Sequence, residues 1–125
     1  MQFKYNTIET KSETLAIRIV QLAQYLQEEK REFVLSGQLL RSGTNVGALV
    51  KGAIREQNKT ALLAKINSAL EESAQIEYLL EILHATNYLS DLEFESINDG
   101  NKEVFEQLTG VLRVSEKKQY SRVNA

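Results

Sequence analysis

Between Ser36 and Ile54 the apolar residues recur at helical spacing, yet beyond Gly37 at its start glycine stands at 43, 47 and 52 inside what that spacing predicts to be a helix. A glycine in a helix interior costs roughly 0.8–1.0 kcal/mol relative to alanine. Three on one segment require an offsetting gain, and the strongest is the close approach of another helix where a side chain is missing. Gly43, Gly47 and Gly52 are therefore expected to mark tight helix packing. The segment constrains the chain to a helical assembly and points to no reaction.

The rest of the sequence agrees with long helices. It contains no proline, the strongest helix breaker. Four periodic segments follow one another. Ile8, Leu15, Ile19, Leu22 and Leu26 share a face in the first, with Thr10 or Ser12 as candidate caps. The second runs from about Leu35 to Glu56. The third runs from about Asn58, a candidate cap, to Thr86, with a seam of Leu62, Ile66, Ala69, Ser73, Ile76, Leu80 and Leu83. The fourth starts after Ser90 or Asp91 and carries Ile97, Val104, Leu108 and Val111. Asn98-Asp99-Gly100 is a candidate kink there, and Gly110 a second weak point. Connections this short force neighbours to run antiparallel. The predicted fold is an all-α, up-down-up-down antiparallel four-helix bundle over residues 1–115, followed by a polar basic tail over 116–125. The apolar surplus at Tyr78, Leu79 and Ile82, on several faces of one helix end, marks them as candidate subunit contacts.

Several function classes drop out on composition. With no cysteine there is no disulfide or thiolate metal site. Glu81-Ile82-Leu83-His84 matches the Glu-x-x-His of di-iron bundles. Such a site needs two of these motifs, and the chain has a single histidine. That histidine also leaves no Ser-His-Asp arrangement. Glu77 and Glu81 form a pair of carboxylates with nothing to suggest burial, so a solvated acidic face is the simpler reading. Gly43-Thr-Asn-Val-Gly47 lacks the Gly-Lys-Ser/Thr ending of a phosphate loop. The expectation is a protein without catalytic residues, cofactor or metal. The opening Met-Gln-Phe-Lys-Tyr-Asn has no signal-peptide core, and no run is long enough to span a bilayer. A cytoplasmic location without membrane contact is the default.

Charge is the remaining lead. Residues 41–70 carry Arg41, Lys51, Arg55, Lys59 and Lys65 against Glu56 alone, whereas residues 71–116 carry eleven acids against Lys102 and Arg113. Arg41, Lys51 and Arg55 fall within an arc of roughly 80° on the second helix. Lys59 opens the third helix just across the turn. The cluster reads either as a solvated face or as a site for the phosphates of RNA or DNA. No aromatic residue is interleaved with it, which disfavours sequence-specific reading of single strands. A different partner is a basic protein meeting the acidic half, 71–116.

The stretches Gln38–Ala48, Lys65–Ser73 and Tyr78–Leu83, with Arg41-Ser-Gly-Thr and the following Val-Gly-Ala at their centre, resemble the small bacterial four helix bundle protein family. Its members are also called intervening-sequence proteins, and some are encoded within insertions of large-subunit ribosomal RNA genes. The resemblance covers nearly the whole chain and is strongest over 38–92. Departures fall at Leu49, Lys51 and Ala61-Leu62. The family is in turn similar to the accessory protein of diversity-generating retroelements, a homopentameric ring that binds nucleic acid and a reverse transcriptase. The resemblance implies a four-helix protomer, a homopentamer, and a binding or scaffold role with no enzyme activity.

Overall fold

A computed structural model describes the backbone of residues 2–124 and the side chains of residues 7–115. Four helices follow in order: α1 (Gln2–Glu28), α2 (Val34–Arg55), α3 (Lys59–Ala85) and α4 (Asp91–Asn124). Each packs on the helix before and after it, and α4 closes the circuit against α1. The α1–α4 seam is the sparsest of the four. Connections of three to five residues leave no room for a crossover. The result is the all-α four-helix bundle.

The core is the union of the periodic stripes. Ile8, Leu15, Ile19 and Leu26 of α1 meet Leu39, Val46, Val50 and Ala53 of α2. Ile66, Ala69, Ile76, Leu80 and Leu83 of α3 and Ile97, Val104 and Leu108 of α4 complete it. One polar pair within the core is satisfied across helices, whereas Asn98 Oδ1 is buried without a partner among the described residues. Ser73 Oγ donates to Asn101 Oδ1 at 2.9 Å, and Asn101 Nδ2 donates to the Ser73 carbonyl at 3.0 Å, which ties α3 to α4. A buried polar pair satisfied in both directions fixes register, since slipping either helix would orphan both groups.

Helix ends follow the rules of capping. Asn58 Oδ1 accepts from the Ala61 amide at 3.0 Å. Ser90 and Glu93 form a capping box: the Ser90 amide donates to Glu93 Oε1 at 2.8 Å, and the Glu93 amide to Ser90 Oγ at 3.1 Å. At the C-terminus of α3, Asn87 takes the left-handed conformation (φ 67°), and the Tyr88 amide reaches the Leu83 carbonyl at 2.9 Å. The start of α2 is less usual. The nearly buried Glu32 accepts from the amides of Val34, Leu35 and Ser36 at 3.2, 2.9 and 2.7 Å. Its carboxylate thus serves three amides that the first turn leaves without carbonyl partners, where the helix dipole also favours negative charge.

Three expectations change. α1 begins at Gln2, so Thr10 and Ser12 are interior rather than caps; the Ser12 hydroxyl is satisfied within the helix by the Glu9 carbonyl at 3.1 Å. Asn98-Asp99-Gly100 and Gly110 do not break α4. The segment read as a tail continues α4 in backbone as far as Asn124, while the side chains of 116–125 lie outside the described residues.

The three glycines have three different neighbours. A Cβ on Gly43 would stand 2.7–3.0 Å from Ile19, so α1 approaches α2 there as closely as a missing side chain permits. At Gly47 it would meet Ala16 and the Ser12 carbonyl at an ordinary 3.8 Å, and at Gly52 only the side chain of Lys65. A steric demand for glycine thus falls on Gly43; at Gly47 a Cβ would fit in ordinary contact with α1, and Gly52 faces a flexible lysine. Leu79 is only 2% exposed and is part of the protomer's own core, so it is not available for subunit contact. Tyr78 is exposed and Ile82 half-buried.

Candidate nucleic-acid interface

The basic cluster begins with α2. Its core side holds Val46, Val50 and Ala53, which turns Arg41, Lys51 and Arg55 outward, and all three are exposed. Arg55 closes the helix, where a cation is favoured by the C-terminal end of the dipole. The turn is tight: the Glu56 amide returns to the Ala53 carbonyl at 3.1 Å and Asn58 caps α3 at once. Lys59 is therefore the first residue of α3, beside Arg55. A cation at a helix N-terminus is disfavoured by the dipole. Lys59 instead reaches sideways, its Nζ 3.4 Å from the Ser115 carbonyl of α4.

The five candidates do not form one patch. Lys65 is 3.7 Å from Glu56 and lies along Gly52, so its charge is already answered in the α2–α3 groove. Arg41 is on the right face but fourteen residues before Arg55, about 21 Å along the helix. Lys51, Arg55 and Lys59 remain together. The structure adds a neighbour that the linear sequence hides. The Lys59–Ser115 contact brings the late part of α4 to the α2–α3 connection, and with it the exposed Arg113. Beyond Ser115 the α4 backbone runs on with Lys117, Lys118 and Arg122 in its sequence. Arg113 thus meets a basic cluster some fifty residues earlier in the chain at one end of the bundle.

The opposite end carries the histidine. His84 Nε2 lies 2.7 Å from Asp91 Oδ1, and its ring stacks on Phe94 with centroids 4.4 Å apart. The residue latches α3 to α4 across their connection. Glu77 and Glu81 near this end are exposed, as is Glu95 of α4, and the exposed Asp99 and Glu106 continue the acidic face of α4 toward the other end. Among the described residues no group of three or more His, Asp or Glu side chains is arranged to hold a metal ion. No described helix is long and apolar enough to cross a membrane. A solvent-open groove of about 400 Å³ between α1 and α4, lined by Arg18, Leu22, Leu92 and Ile97, belongs to this end and not to the basic one.

A single bundle with a bare basic end leaves its lineage to be decided by comparison. The family described as 23S rRNA-intervening sequence protein matches residues 4–110. The chain belongs to that family. A crystal structure from Bacteroides thetaiotaomicron, of a protein with unknown function from the S23 ribosomal protein family, is 39% identical. The match covers 88% of this chain and 98% of that one, with a TM-score of 0.86. No curated protein matches the chain. The family assignment agrees with the resemblance drawn from residues 38–92. It brings a fold and a lineage, and no chemistry.

Proposed function

We propose that the protein is a non-enzymatic, homo-oligomeric binding or scaffold protein that contacts RNA or DNA through the basic end of its bundle. The observation that carries this reading is the junction of the α2–α3 connection with the end of α4, marked by the 3.4 Å approach of Lys59 Nζ to the Ser115 carbonyl. Lys51, Arg55, Lys59 and Arg113 thereby share one end with their charges turned to solvent. Such an arrangement suits phosphate contacts, which supply sequence-independent affinity and release counterions. Among the described residues of the cluster there is no aromatic platform for base stacking, so the contact is with backbone rather than bases. The family's description names ribosomal RNA intervening sequences, which makes RNA the first ligand to try. The pentameric ring implied by the retroelement resemblance is the assembly we favour, since a ring would repeat the basic end around one axis and strengthen the local field.

The test is RNA binding by purified protein and by the triple variant Lys51→Gln, Arg55→Gln, Lys59→Gln. The wild type binds in a salt-sensitive manner. The variant folds normally and loses that binding; unchanged binding by the variant removes the proposal. A second reading, in which the acidic half meets a basic protein surface, draws on the exposed Glu95, Asp99 and Glu106 of α4. Recovery of a basic protein partner with no nucleic acid would favour it.

A further inference from the structure

Helix α4 is longer than the bundle needs. Its register with α3 is marked by Ser73 against Asn101, and by Lys59, the first residue of α3, against the Ser115 carbonyl. Its register with α1 runs from Arg18 against Ser96 to Lys11 against Glu103. Read on to Gln2, where α1 begins, that register reaches Leu112. Across the α2–α3 groove Gly52 lies against Lys65, which sets Arg55, the last residue of α2, level with Leu62. All three neighbours have therefore ended by Ser115, whereas the α4 backbone continues as helix to Asn124. The extension, residues 116–124, is about 13 Å long.

The sequence changes character at the same point. Along α4 the core stripe alternates steps of four and three through Ile97, Asn101, Val104, Leu108, Val111 and Ser115, all buried or half-buried. Its next two positions are Lys118 and Arg122. The stripe thus carries no charge while it faces the core and is wholly basic beyond it. The helix dipole favours cations near any C-terminus, which accounts for the charge but not for the face that carries it. Lys117 has the same charge and falls off the stripe. A line that runs inward along the bundle passes, once the bundle ends, above the α2–α3 connection with its exposed Arg55 and Lys59.

We infer that residues 116–124 form a second wall of the nucleic-acid site. A polynucleotide lies in the angle between the α2–α3 connection and the projecting end of α4. Arg55 and Lys59 lie beneath it, and the register positions of Lys118 and Arg122 lie beside it. The inference rests on the nucleic-acid reading of the proposed function and narrows its ligand. Two walls at an angle grip a run of successive phosphates, whereas a mononucleotide meets only one of them. The arrangement also gives the extension a use. A helix of so few turns gains little from its own hydrogen bonds in water, so it is served by a polyanion lying along its basic line.

Fluorescence anisotropy with a labelled single-stranded RNA oligonucleotide over a salt series tests this on the full chain. Lys118→Gln combined with Arg122→Gln removes both stripe cations, and Lys117→Gln is the control of like charge off the stripe. The double variant should bind more weakly, with a logarithmic salt slope flatter by about 1.4, the equivalent of two phosphate contacts on a single strand. Its melting temperature should stay at the wild-type value, because both positions lie beyond the core. Lys117→Gln should keep the wild-type slope to within about half of one contact. A double variant with the wild-type slope, or a control that loses as much per charge as the double variant, overturns the second wall. Loss of binding by the Lys51, Arg55 and Lys59 variant alongside either result keeps the proposed function and removes only this addition to it. A wild type that binds no RNA overturns both. Hydrogen exchange gives an independent reading: RNA should slow the amides of 116–124, and unchanged exchange there overturns the inference.

Discussion

The two ends of the bundle differ in how their polar groups are used. At the end holding the connections 29–33 and 86–90, polar groups are committed to the fold. Glu32 satisfies three amides, Ser90 and Glu93 cap each other, His84 pairs with Asp91, and Asn87 takes a left-handed turn that closes α3. At the end holding the connection 56–58, one asparagine cap suffices, and Lys51 and Arg55 project into solvent. The first end is where the chain secures its own geometry. The second has charge left over for something else, and the placement of a binding surface there follows from that surplus.

Substitutions can break this contrast, beginning with the largest effect. Glu32→Ala strips three amides of a nearly buried carboxylate. Hydrogen bonds to charged groups of this kind contribute about 1.5–3 kcal/mol, so a loss of about 2–3 kcal/mol is expected by chemical denaturation, with helix content otherwise retained. A loss under about 0.5 kcal/mol would mean that water replaces the carboxylate and that this end is not held as described. Gly43→Ala comes next. The added methyl overlaps Ile19, and overpacking costs about 1–3 kcal/mol, partly offset by the gain of roughly 0.8–1.0 kcal/mol in helix propensity. The net should be destabilising. Gly37→Ala is its control, because the same propensity gain comes with no clash and should stabilise by up to about 1 kcal/mol. Smallest of all is the effect on stability of neutralising Lys51, Arg55 and Lys59 together, within about ±0.5 kcal/mol per site for exposed positions. A marked destabilisation there would show that the basic end is structural after all.

Much of this fold is legible in the sequence because the apolar period and the lack of proline act over whole helices. The observed bounds of α2 and α3 lie within a residue or so of the periodic segments, and Asn58 and Ser90 announce themselves as caps. Harder to read are features whose partner is remote in sequence. Glu32 is not among the short side chains that usually cap, and its role depends on a turn in which Arg31 adopts φ 55°. Asn101 looks like part of a helix-breaking Asn-Asp-Gly-Asn run, yet its partner is Ser73 on the neighbouring helix, so α4 runs through unbroken. The three glycines look alike on a helical wheel, and only the identity of the neighbour singles out Gly43.

The candidate site follows the same pattern. A wheel brings Arg41, Lys51 and Arg55 onto one face but does not say how far apart they stand along it. Lys65 is spent on Glu56 nine residues earlier, in the α2–α3 connection, a pairing that no local pattern announces. Arg113 reads in the sequence as an isolated base in an acidic half. It joins the cluster only because antiparallel packing returns the end of α4 to the start of α3.

The central claim, that the basic end binds nucleic-acid phosphates, is tested most directly by the salt dependence of RNA affinity, measured by fluorescence anisotropy for the wild type and the triple glutamine variant. Each lost phosphate contact should flatten the logarithmic slope by roughly 0.7–0.9. The variant is therefore expected to bind more weakly with a slope reduced by about 2–3. Equal affinity and equal slope in the two proteins would contradict the account.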